Sequence, residues 1–222
     1  MSAAMTRRFD LIVFDWDGTL FDSTRLIARC IQAACADVGT AVPNDRDASF
    51  VIGLGLADAL RLAAPELAQE RYGDLAERYR HHYLSSQDDI VLFEGTLEML
   101  GTLKQRNHSL AVATGKTRRG LDDALRRSVL GGYFDATRTA DETASKPDPR
   151  MLHELMRELG CAAERTLMIG DTTHDLQLAD NAGCASVAVS FGAHGHEEFA
   201  RHRPLHVAHS TADLAGWLAR HA

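Results

Sequence analysis

The sequence predicts an α/β fold, in which a doubly wound parallel sheet carries a small all-helical segment inserted after its first strand. Short, continuously apolar runs of the kind that form buried parallel strands recur along the chain. Helix-like segments alternate with these runs from residue 93 onward, which is the order expected of a parallel sheet with helices on both faces. Between residues 22 and 92 no strand-like run occurs, so this stretch is predicted to be a helical insertion.

The predicted strands are short, and most end in a small or acidic residue. They are FDLIVFD (9–15), SLAVATG (109–115), RTLMIGD (165–171) and ASVAVSFG (185–192), with a weaker candidate in LHVAHS (205–210). The first run is branched and apolar almost throughout, which indicates a central strand that is buried on both faces.

The predicted helices of the alternating part carry start and stop signals. They cover GTLEMLGTLKQRN (95–107), PDPRMLHELMRELG (147–160), HDLQLADNAG (174–183) and STADLAGWL (210–218). In the second of these, Asp148 is predicted as the N-cap, Pro149 as the first helical residue and Gly160 as the stop. Ser210 and Asp213 stand at the spacing of a capping box at the start of the last helix.

The inserted segment is predicted to contain three helices. They cover TRLIARCIQAACADVG (24–39), GLADALRLAAPEL (55–67) and LAQERYGDLAERYRHHYLSS (67–86). The chain is therefore predicted to form two units, an α/β core made of residues 1–21 and 93–222 and a helical cap made of residues 22–92.

Composition limits the classes of function. The chain has 222 residues, of which 45% are hydrophobic and 25% charged, which is enough apolar material for a packed core. A net charge of −7 argues against a nucleic-acid partner. The four cysteines show no metal-binding spacing, so buried free thiols in a reducing compartment are expected. With no apolar run long enough for a signal peptide or a membrane span, the expectation is a cytoplasmic protein without a membrane partner.

Polar residues cluster where the predicted strands end. In open α/β sheets, ligands bind beyond the carboxyl ends of the strands, so these residues are expected to share one crevice. They are Asp15 and Asp17 after the first strand, Thr114, Gly115 and Lys116 after the second, Ser145 and Lys146 in a later loop, Asp171 after a further strand, and Asp175 four residues on.

This mixture of residue types indicates phosphoryl chemistry. Carboxylates brought together repel one another, and a hard cation such as Mg²⁺ relieves that repulsion. A hydroxyl and an ammonium group in the same crevice would surround a dense anion such as a phosphoryl group. Asp15 and Asp17 lie two apart and face the same side of an extended chain, so one can attack phosphorus while the other handles the leaving group's proton. Gly18 lets the backbone turn sharply beside the phosphate.

Four motifs occur in order and together resemble one protein family. They are D-x-D-G-T-L after an apolar strand, T-G-K after a second strand, K-P-D-P at the start of a helix, and G-D-x-x-x-D after a later strand. This set resembles the haloacid dehalogenase (HAD) superfamily of phosphohydrolases, and the likeness covers essentially the whole chain. The resemblance implies a Rossmann-like core with a helical cap after the first motif. Within the superfamily, the sequence is most similar to the phosphoglycolate phosphatase-like subgroup.

The resemblance also implies a role for each matching residue. Asp15 would be the nucleophile and a Mg²⁺ ligand, and Asp17 would be the general acid and base that lends its backbone carbonyl to the metal. Thr114 would hydrogen-bond the phosphoryl oxygens, and Lys146 would neutralise both Asp15 and the phosphate. Asp171 would bind Mg²⁺ directly, and Asp175 would support it through water or from a second layer. Backbone N–H groups near Gly18 and Gly115 would add phosphate donors.

Several residues carry two interpretations. Asp175 either supports the metal or simply begins a helix, and Lys116 either faces the substrate or is an exposed loop lysine. Gly53 lies in a glycine-containing segment that either opens a helix toward a substrate anion or forms a plain turn. His194 and His196 lack a third metal ligand, so a solvated loop is expected for both.

The expected function is therefore Mg²⁺-dependent hydrolysis of a small phosphorylated metabolite resembling phosphoglycolate, through an aspartyl-phosphate intermediate. A phosphomutase and an inorganic pyrophosphatase of the same superfamily are alternatives, and so is a non-catalytic phosphate-binding module. A dehalogenase is disfavoured because that branch lacks the second acid, Asp17. The expected partner is a small metabolite, and the chain is expected to be a monomer or a weak dimer.

Overall fold

The computed structural model describes residues 7–222, so residues 1–6 of the predicted core unit lie outside the described part. Its strands are β1 (Leu11–Phe14), β2 (Phe21–Asp22), β3 (Val91–Leu92), β4 (Ser109–Thr114), β5 (Ala136–Thr139), β6 (Thr166–Gly170), β7 (Ala185–Val189) and β8 (Val207–Ala208). Its α-helices are α1 (Thr24–Asp37), α2 (Asp45–Phe50), α3 (Leu56–Ala63), α4 (Tyr72–Ser86), α5 (Thr96–Gln105), α6 (Arg118–Arg127), α7 (Arg150–Leu159), α8 (Thr173–Ala182), α9 (His196–Phe199) and α10 (Thr211–His221).

Six strands form one parallel sheet in the order β5-β4-β1-β6-β7-β8. β1 is central, and Val13 lies opposite Ala111 of β4 on one side and Met168 of β6 on the other. From β1 the chain continues to β4 and β5 on one side, and β6, β7 and β8 follow on the other side. Because the connections leave in opposite directions between β1 and β6, a crevice opens there at the carboxyl ends of the strands. This topology places the ends of β1, β4 and β6 side by side.

Helices cover both faces of the sheet. Ile12 and Phe14 of β1 pack into one buried apolar cluster with residues of α5 and α10, while Leu11 and Val13 pack into a second cluster with α7 and α8. All four side chains are fully buried, and each such burial contributes roughly 1.5–3 kcal/mol. The prediction of a doubly wound parallel sheet is confirmed.

Residues 22–92, called the helical insertion below, carry α1 to α4 and their own apolar cluster. Ile27 and Ile31 of α1, Leu60 of α3 and Leu75 of α4 are buried in that cluster. The expectation that this segment lacks strands is wrong at its two ends. There, β2 and β3 pair antiparallel, with Phe21 opposite Leu92, so the two crossings between insertion and core run side by side. The division of the chain into two units remains a prediction.

Some elements differ from the predicted set. β5 and α6 were not predicted from the sequence. β5 has the sequence ATRT, with two half-exposed polar residues at an edge of the sheet, so it lacks the apolar run of the other strands. α6 is rich in arginine rather than in apolar residues. α2 is a further unexpected helix, and β8 is only two residues long. α7 begins at Arg150 rather than at Pro149, since Pro149 is its N-cap while the Asp148 carboxylate accepts from the Arg150 N–H.

Within residues 7–222, the structure has no helix that combines the length and apolar character needed to cross a membrane.

Candidate active site

The structure brings the predicted site residues together at the carboxyl ends of β1, β4 and β6. Asp15 follows β1 directly, and its N–H continues the strand pairing by donating to the Ile169 carbonyl at 2.9 Å. Thr114 ends β4, and Asp171 follows β6. The side chains of Asp15, Asp17, Thr114, Lys146, Asp171 and Asp175 are all buried.

Lys146 joins two of the carboxylates. Its Nζ lies 2.6 Å from Asp15 Oδ1 and 2.6 Å from Asp175 Oδ1, and the lysine side chain is fully buried. Burial lowers the pKa of Lys146, but the charges of Asp15 and Asp175 outweigh burial and leave it well above its usual range. Lys146 is therefore a permanent ammonium group beside Asp15.

Asp15, Asp171 and Asp175, called the carboxylate cluster below, offer three oxygens that all lie within 4.8 Å of one another. Burial raises the pKa of Asp15, opposed by Lys146 and reinforced by Asp175, and burial together with the Asp15 charge raises that of Asp171. Within the part of the chain that the structure describes, the buried Asp15 Oδ2 has no hydrogen-bond partner. A single lysine does not balance three carboxylates, so the cluster fits a divalent cation such as Mg²⁺.

Close backbone approach shapes the position of Asp171. Its Oδ2 accepts from the Ala193 N–H at 2.7 Å, and its Oδ1 accepts from Thr19 Oγ1 at 3.2 Å. A Cβ on Gly18 would lie 2.1 Å from Asp171 Oδ2, and one on Gly192 would lie 2.2 Å from it. Gly18 also has a φ of +77°, so glycine is required there for both conformation and space.

Asp175 is a helix-capping residue in this structure. It forms a capping box with Thr172 at the start of α8, and its Oδ2 accepts from the Thr172 N–H and hydroxyl. Its Oδ1 accepts from Lys146, so protein donors occupy both carboxylate oxygens. This arrangement agrees with the interpretation that Asp175 begins a helix. Its part in metal binding stays a prediction.

Asp17 is bound by two neighbours. Its Oδ1 accepts from Ser23 Oγ at 2.7 Å, and its Oδ2 lies 2.9 Å from Lys116 Nζ. Lys116 also donates to Tyr83 Oη of α4 at 2.9 Å, so it joins the core to the helical insertion. The interpretation of Lys116 as an exposed loop lysine is wrong, because its side chain is only 10% exposed.

The helical insertion contacts the core closely at Gly115. A Cβ on this glycine would lie 2.2 Å from the Leu54 carbonyl oxygen and 2.6 Å from that of Gly53, so only glycine fits there. Gly53 itself has a φ of +92°. Two residues further along the chain, the N–H of Gly55, which is the N-cap of α3, donates to Ser145 Oγ at 2.8 Å.

A cavity of about 470 Å³ lies between the core and the helical insertion. Its floor is formed by Asp15, Asp17, Thr114, Gly115 and Lys116. Its wall is formed by apolar side chains of the insertion, which are Ile27, Ile31, Val51, Ile52, Leu54, Leu56, Ala59, Tyr79, Tyr83 and Leu84. Arg80 and Gln87 of the insertion also line the cavity. A larger groove of about 730 Å³, between α5 and α10, contains none of the predicted site residues.

The expectation of a solvated loop is wrong for His194. Its ring is buried, its Nδ1 accepts from the Thr173 N–H at 3.0 Å, and its Nε2 lies 3.1 Å from the Phe50 carbonyl oxygen. Because Nδ1 is an acceptor, Nε2 carries the proton and donates to Phe50, which belongs to the insertion. His196 is exposed, at the start of α9. Trp16 is buried and stacks on Phe21 at 4.8 Å, in line with a packing role.

Ser23, Thr19 and Tyr83 were not predicted as site residues. Thr19 lies within the first motif and Ser23 follows it, and a rule that every buried carboxylate needs a donor could have found both. Tyr83 lies in a stretch that the sequence predicts only to be helical, and no local signal marks its contact with Lys116.

Comparison with known proteins places the chain in a family. The model of the haloacid dehalogenase-like hydrolases matches residues 12–189. "Probable phosphatase IndB" of Dickeya dadantii is 33% identical over 217 residues, covering 96% of this chain and 94% of that protein. Pyrophosphatase PpaX of Halalkalibacterium halodurans is 30% identical over 205 residues, covering 91% and 94%. The crystal structure of a "predicted phosphoglycolate phosphatase" from Haemophilus somnus superposes with a TM-score of 0.83 at 25% identity, covering 95% of this chain and 98% of that one.

The chain belongs to the haloacid dehalogenase-like hydrolases. Within that family, it is an enzyme of the phosphatase branch that these relatives represent. The non-catalytic alternative is therefore set aside.

Proposed function

We propose that this protein is a Mg²⁺-dependent phosphatase that hydrolyses a phosphate monoester through an aspartyl phosphate on Asp15. The observation that carries this proposal is the position of the Asp15 carboxylate. It is buried at the floor of the cavity, paired with Lys146 through one oxygen and without a described partner at the other. A carboxylate held in this way is oriented for attack on phosphorus, and the Lys146 ammonium beside it opposes the rise in its pKa that burial causes.

Mg²⁺ would be held by Asp15, Asp171 and the backbone carbonyl of Asp17, with Asp175 supporting it. When bound, the cation would offset the charge of the carboxylate cluster and polarise the phosphoryl oxygens. The protein's own groups account for the remaining requirements. Thr114 and Lys146 provide a hydroxyl donor and positive charge for the phosphoryl oxygens, and the wall excludes water from the leaving group.

The proposed reaction has two steps. In the first, an Asp15 oxygen forms a bond to phosphorus as the ester P–O bond breaks, and the departing alkoxide takes a proton from Asp17. In the second, water attacks phosphorus and gives its proton to Asp17, the bond to Asp15 breaks, and inorganic phosphate leaves. Asp17 must therefore be released from Lys116 and Ser23, or share them, as it takes and gives the proton.

The test is phosphate release from p-nitrophenyl phosphate and a panel of metabolite esters, with chelator and then with Mg²⁺. Wild type should turn over only with Mg²⁺, and Asp15→Asn should lose at least about 10⁴-fold in kcat. Asp22→Asn is the matched control, because this neighbouring aspartate is exposed and should leave turnover unchanged. Mass spectrometry of quenched wild type should find one phosphoryl group on the peptide that contains Asp15.

Turnover retained by Asp15→Asn, or turnover insensitive to chelation, would contradict the proposal. The same panel separates the related reactions. A phosphomutase would convert a sugar phosphate into its isomer with little release of phosphate, and a pyrophosphatase would prefer pyrophosphate over every ester.

A further inference from the structure

The wall of the cavity is apolar, whereas a small substrate with two anionic groups needs positive charge or hydrogen-bond donors around it. The insertion lines the cavity mostly with aliphatic side chains, among them Ile27, Ile31 and Leu54. The cavity volume of about 470 Å³ lies within the range of pockets that enclose drug-sized molecules, roughly 300–1,000 Å³. Such a wall gains free energy by covering hydrocarbon rather than by pairing with charge.

Positive charge is scarce on this side of the cavity. Of the described residues that line it from the insertion, Arg80 alone is charged, and Arg80 is exposed. On the core side, Lys116 is paired with Asp17 and Arg126 with Asp123, and Arg119 is exposed to solvent. A carboxylate or a second phosphate close to phosphorus would therefore be buried beside aliphatic groups, which is costly without a charged partner.

The backbone groups of the insertion nearest Gly115 do not supply the missing partner for a second anion. The carbonyl oxygens of Gly53 and Leu54 approach Gly115, and carbonyl oxygens repel anions. The Gly55 N–H, which could otherwise meet an anion at the start of α3, donates to Ser145 Oγ.

Two aromatic rings extend the apolar surface. Tyr79 and Tyr83 of α4 both line the cavity, and their rings stack with centroids 6.0 Å apart and an angle of 25° between their planes. Burial raises the pKa of Tyr79, so its phenol is neutral at physiological pH. The rings add flat, uncharged surface against which an aliphatic or aromatic group can pack.

We propose that the preferred substrate is the phosphate monoester of a bulky, largely apolar alcohol, whose hydrocarbon part packs against the wall. This inference rests on the proposed phosphatase function and specifies its substrate class. It selects against phosphoglycolate and pyrophosphate, whose leaving groups carry a further negative charge. The relatives do not decide the matter, because proteins of comparable identity are named for different substrates.

The test is a series of primary alkyl phosphates from ethyl to hexyl, together with phosphoglycolate and pyrophosphate. The alkyl esters have leaving groups of similar reactivity and differ in apolar surface. We expect kcat/KM with Mg²⁺ to rise by about fourfold for each methylene that the wall covers. A higher kcat/KM for phosphoglycolate or pyrophosphate than for hexyl phosphate would overturn the inference while leaving the phosphatase function intact.

A binding measurement keeps the two proposals apart. Asp15→Asn, titrated with the same esters in a calorimeter, should bind hexyl phosphate at least about tenfold more tightly than ethyl phosphate. If wild type hydrolyses no ester but this preference holds, the wall does select apolar phosphate esters as ligands, and the proposed phosphatase function fails. An affinity that does not change with chain length would overturn the substrate class.

Substitutions in the insertion provide the matched comparison. Leu54→Ser removes apolar surface from the wall and should lower the ratio of hexyl to ethyl turnover by about tenfold. Leu62→Ser makes the same change on an exposed residue of α3 that does not line the cavity, and it should leave the ratio unchanged. Equal ratios in both variants and wild type would show that the wall does not select the substrate.

Discussion

The two sides of the cavity are built on different principles. On the core side, the carboxylate cluster and Lys146 form a buried set of charges in which each group is positioned by bonds to the others. On the insertion side, the wall is apolar, and its residues are positioned by packing among α1, α3 and α4. Charges that must be aligned tolerate little change, whereas an apolar surface tolerates changes of shape.

This difference separates reaction from selection. In the proposed reaction, the core side holds the groups that act on the phosphoryl group, and none of them contacts the rest of the substrate. The wall holds no group that can act on phosphorus, but it determines what can fill the remaining volume. Substitutions on the core side should therefore reduce kcat/KM for all esters by the same factor. Substitutions in the wall should change which ester has the highest kcat/KM.

The largest effect is expected from removing the shared lysine. Lys146→Met leaves Asp15 and Asp175 buried without their cation, so the metal-free protein should lose about 3–5 kcal/mol of unfolding free energy. Urea unfolding in chelator measures this loss. Lys104→Met is the matched control, because its pair with Asp135 is more than one-third exposed and should contribute at most about 1 kcal/mol. Equal losses in the two variants would contradict the buried-charge account.

A metal-specific effect is expected at Asp171. Mg²⁺ should raise the melting temperature of wild type, since a ligand that binds only the folded state stabilises it. Asp171→Asn should weaken Mg²⁺ binding by at least about 100-fold and abolish this rise at millimolar Mg²⁺. Differential scanning fluorimetry with and without Mg²⁺ measures it, with Asp148→Asn as the control, since this half-buried aspartate lies outside the carboxylate cluster. A normal Mg²⁺ response in Asp171→Asn would remove this residue from the proposed ligand set.

A smaller loss is expected at Lys116, whose ammonium group holds Asp17. Lys116→Met should lower kcat/KM by about 10- to 100-fold, the range for a hydrogen bond to a charged group. The loss should be the same for ethyl and hexyl phosphates, because the defect lies on the core side. Lys116→Arg should recover part of the activity by restoring the charge. A loss confined to the longer ester would show that Lys116 belongs with the wall.

The smallest effect is expected where the two sides meet. Tyr83→Phe removes the hydroxyl that accepts from Lys116 but keeps the ring in the wall, so kcat/KM should fall by about threefold to tenfold. Combined with Lys116→Met, it should cost nothing further, because both changes remove one shared interaction. Strictly additive losses in the double variant would show that the insertion does not influence Asp17 through Lys116.

The core side could be predicted from the sequence because its signals are local. Asp15, Asp171 and Thr114 each follow an apolar run, and parallel strands bring such positions together whatever the rest of the chain does. The order of the four motifs then fixes which residues meet. Gly18 was expected to turn the chain, and the structure adds that it leaves room for Asp171.

The remainder depends on contacts between distant segments, which no local pattern records. The burial of Lys116 depends on Tyr83, and that of His194 on Phe50 across the boundary with the insertion. The sequence of α4 predicts a helix, but it does not indicate which of its side chains face the cavity. The grouping of polar residues on the core side was therefore predictable, and the shape of the wall was not.

The pairing of β2 with β3 has a consequence for how this protein can be re-engineered. Because Phe21 lies opposite Leu92, the segment between them departs from the core and returns to it at neighbouring points. A graft at these two positions would join another protein's segment to the core without moving any strand of the main sheet. On the proposed division of roles, exchanging this one segment would change the range of substrates while the residues of the core side stay as they are.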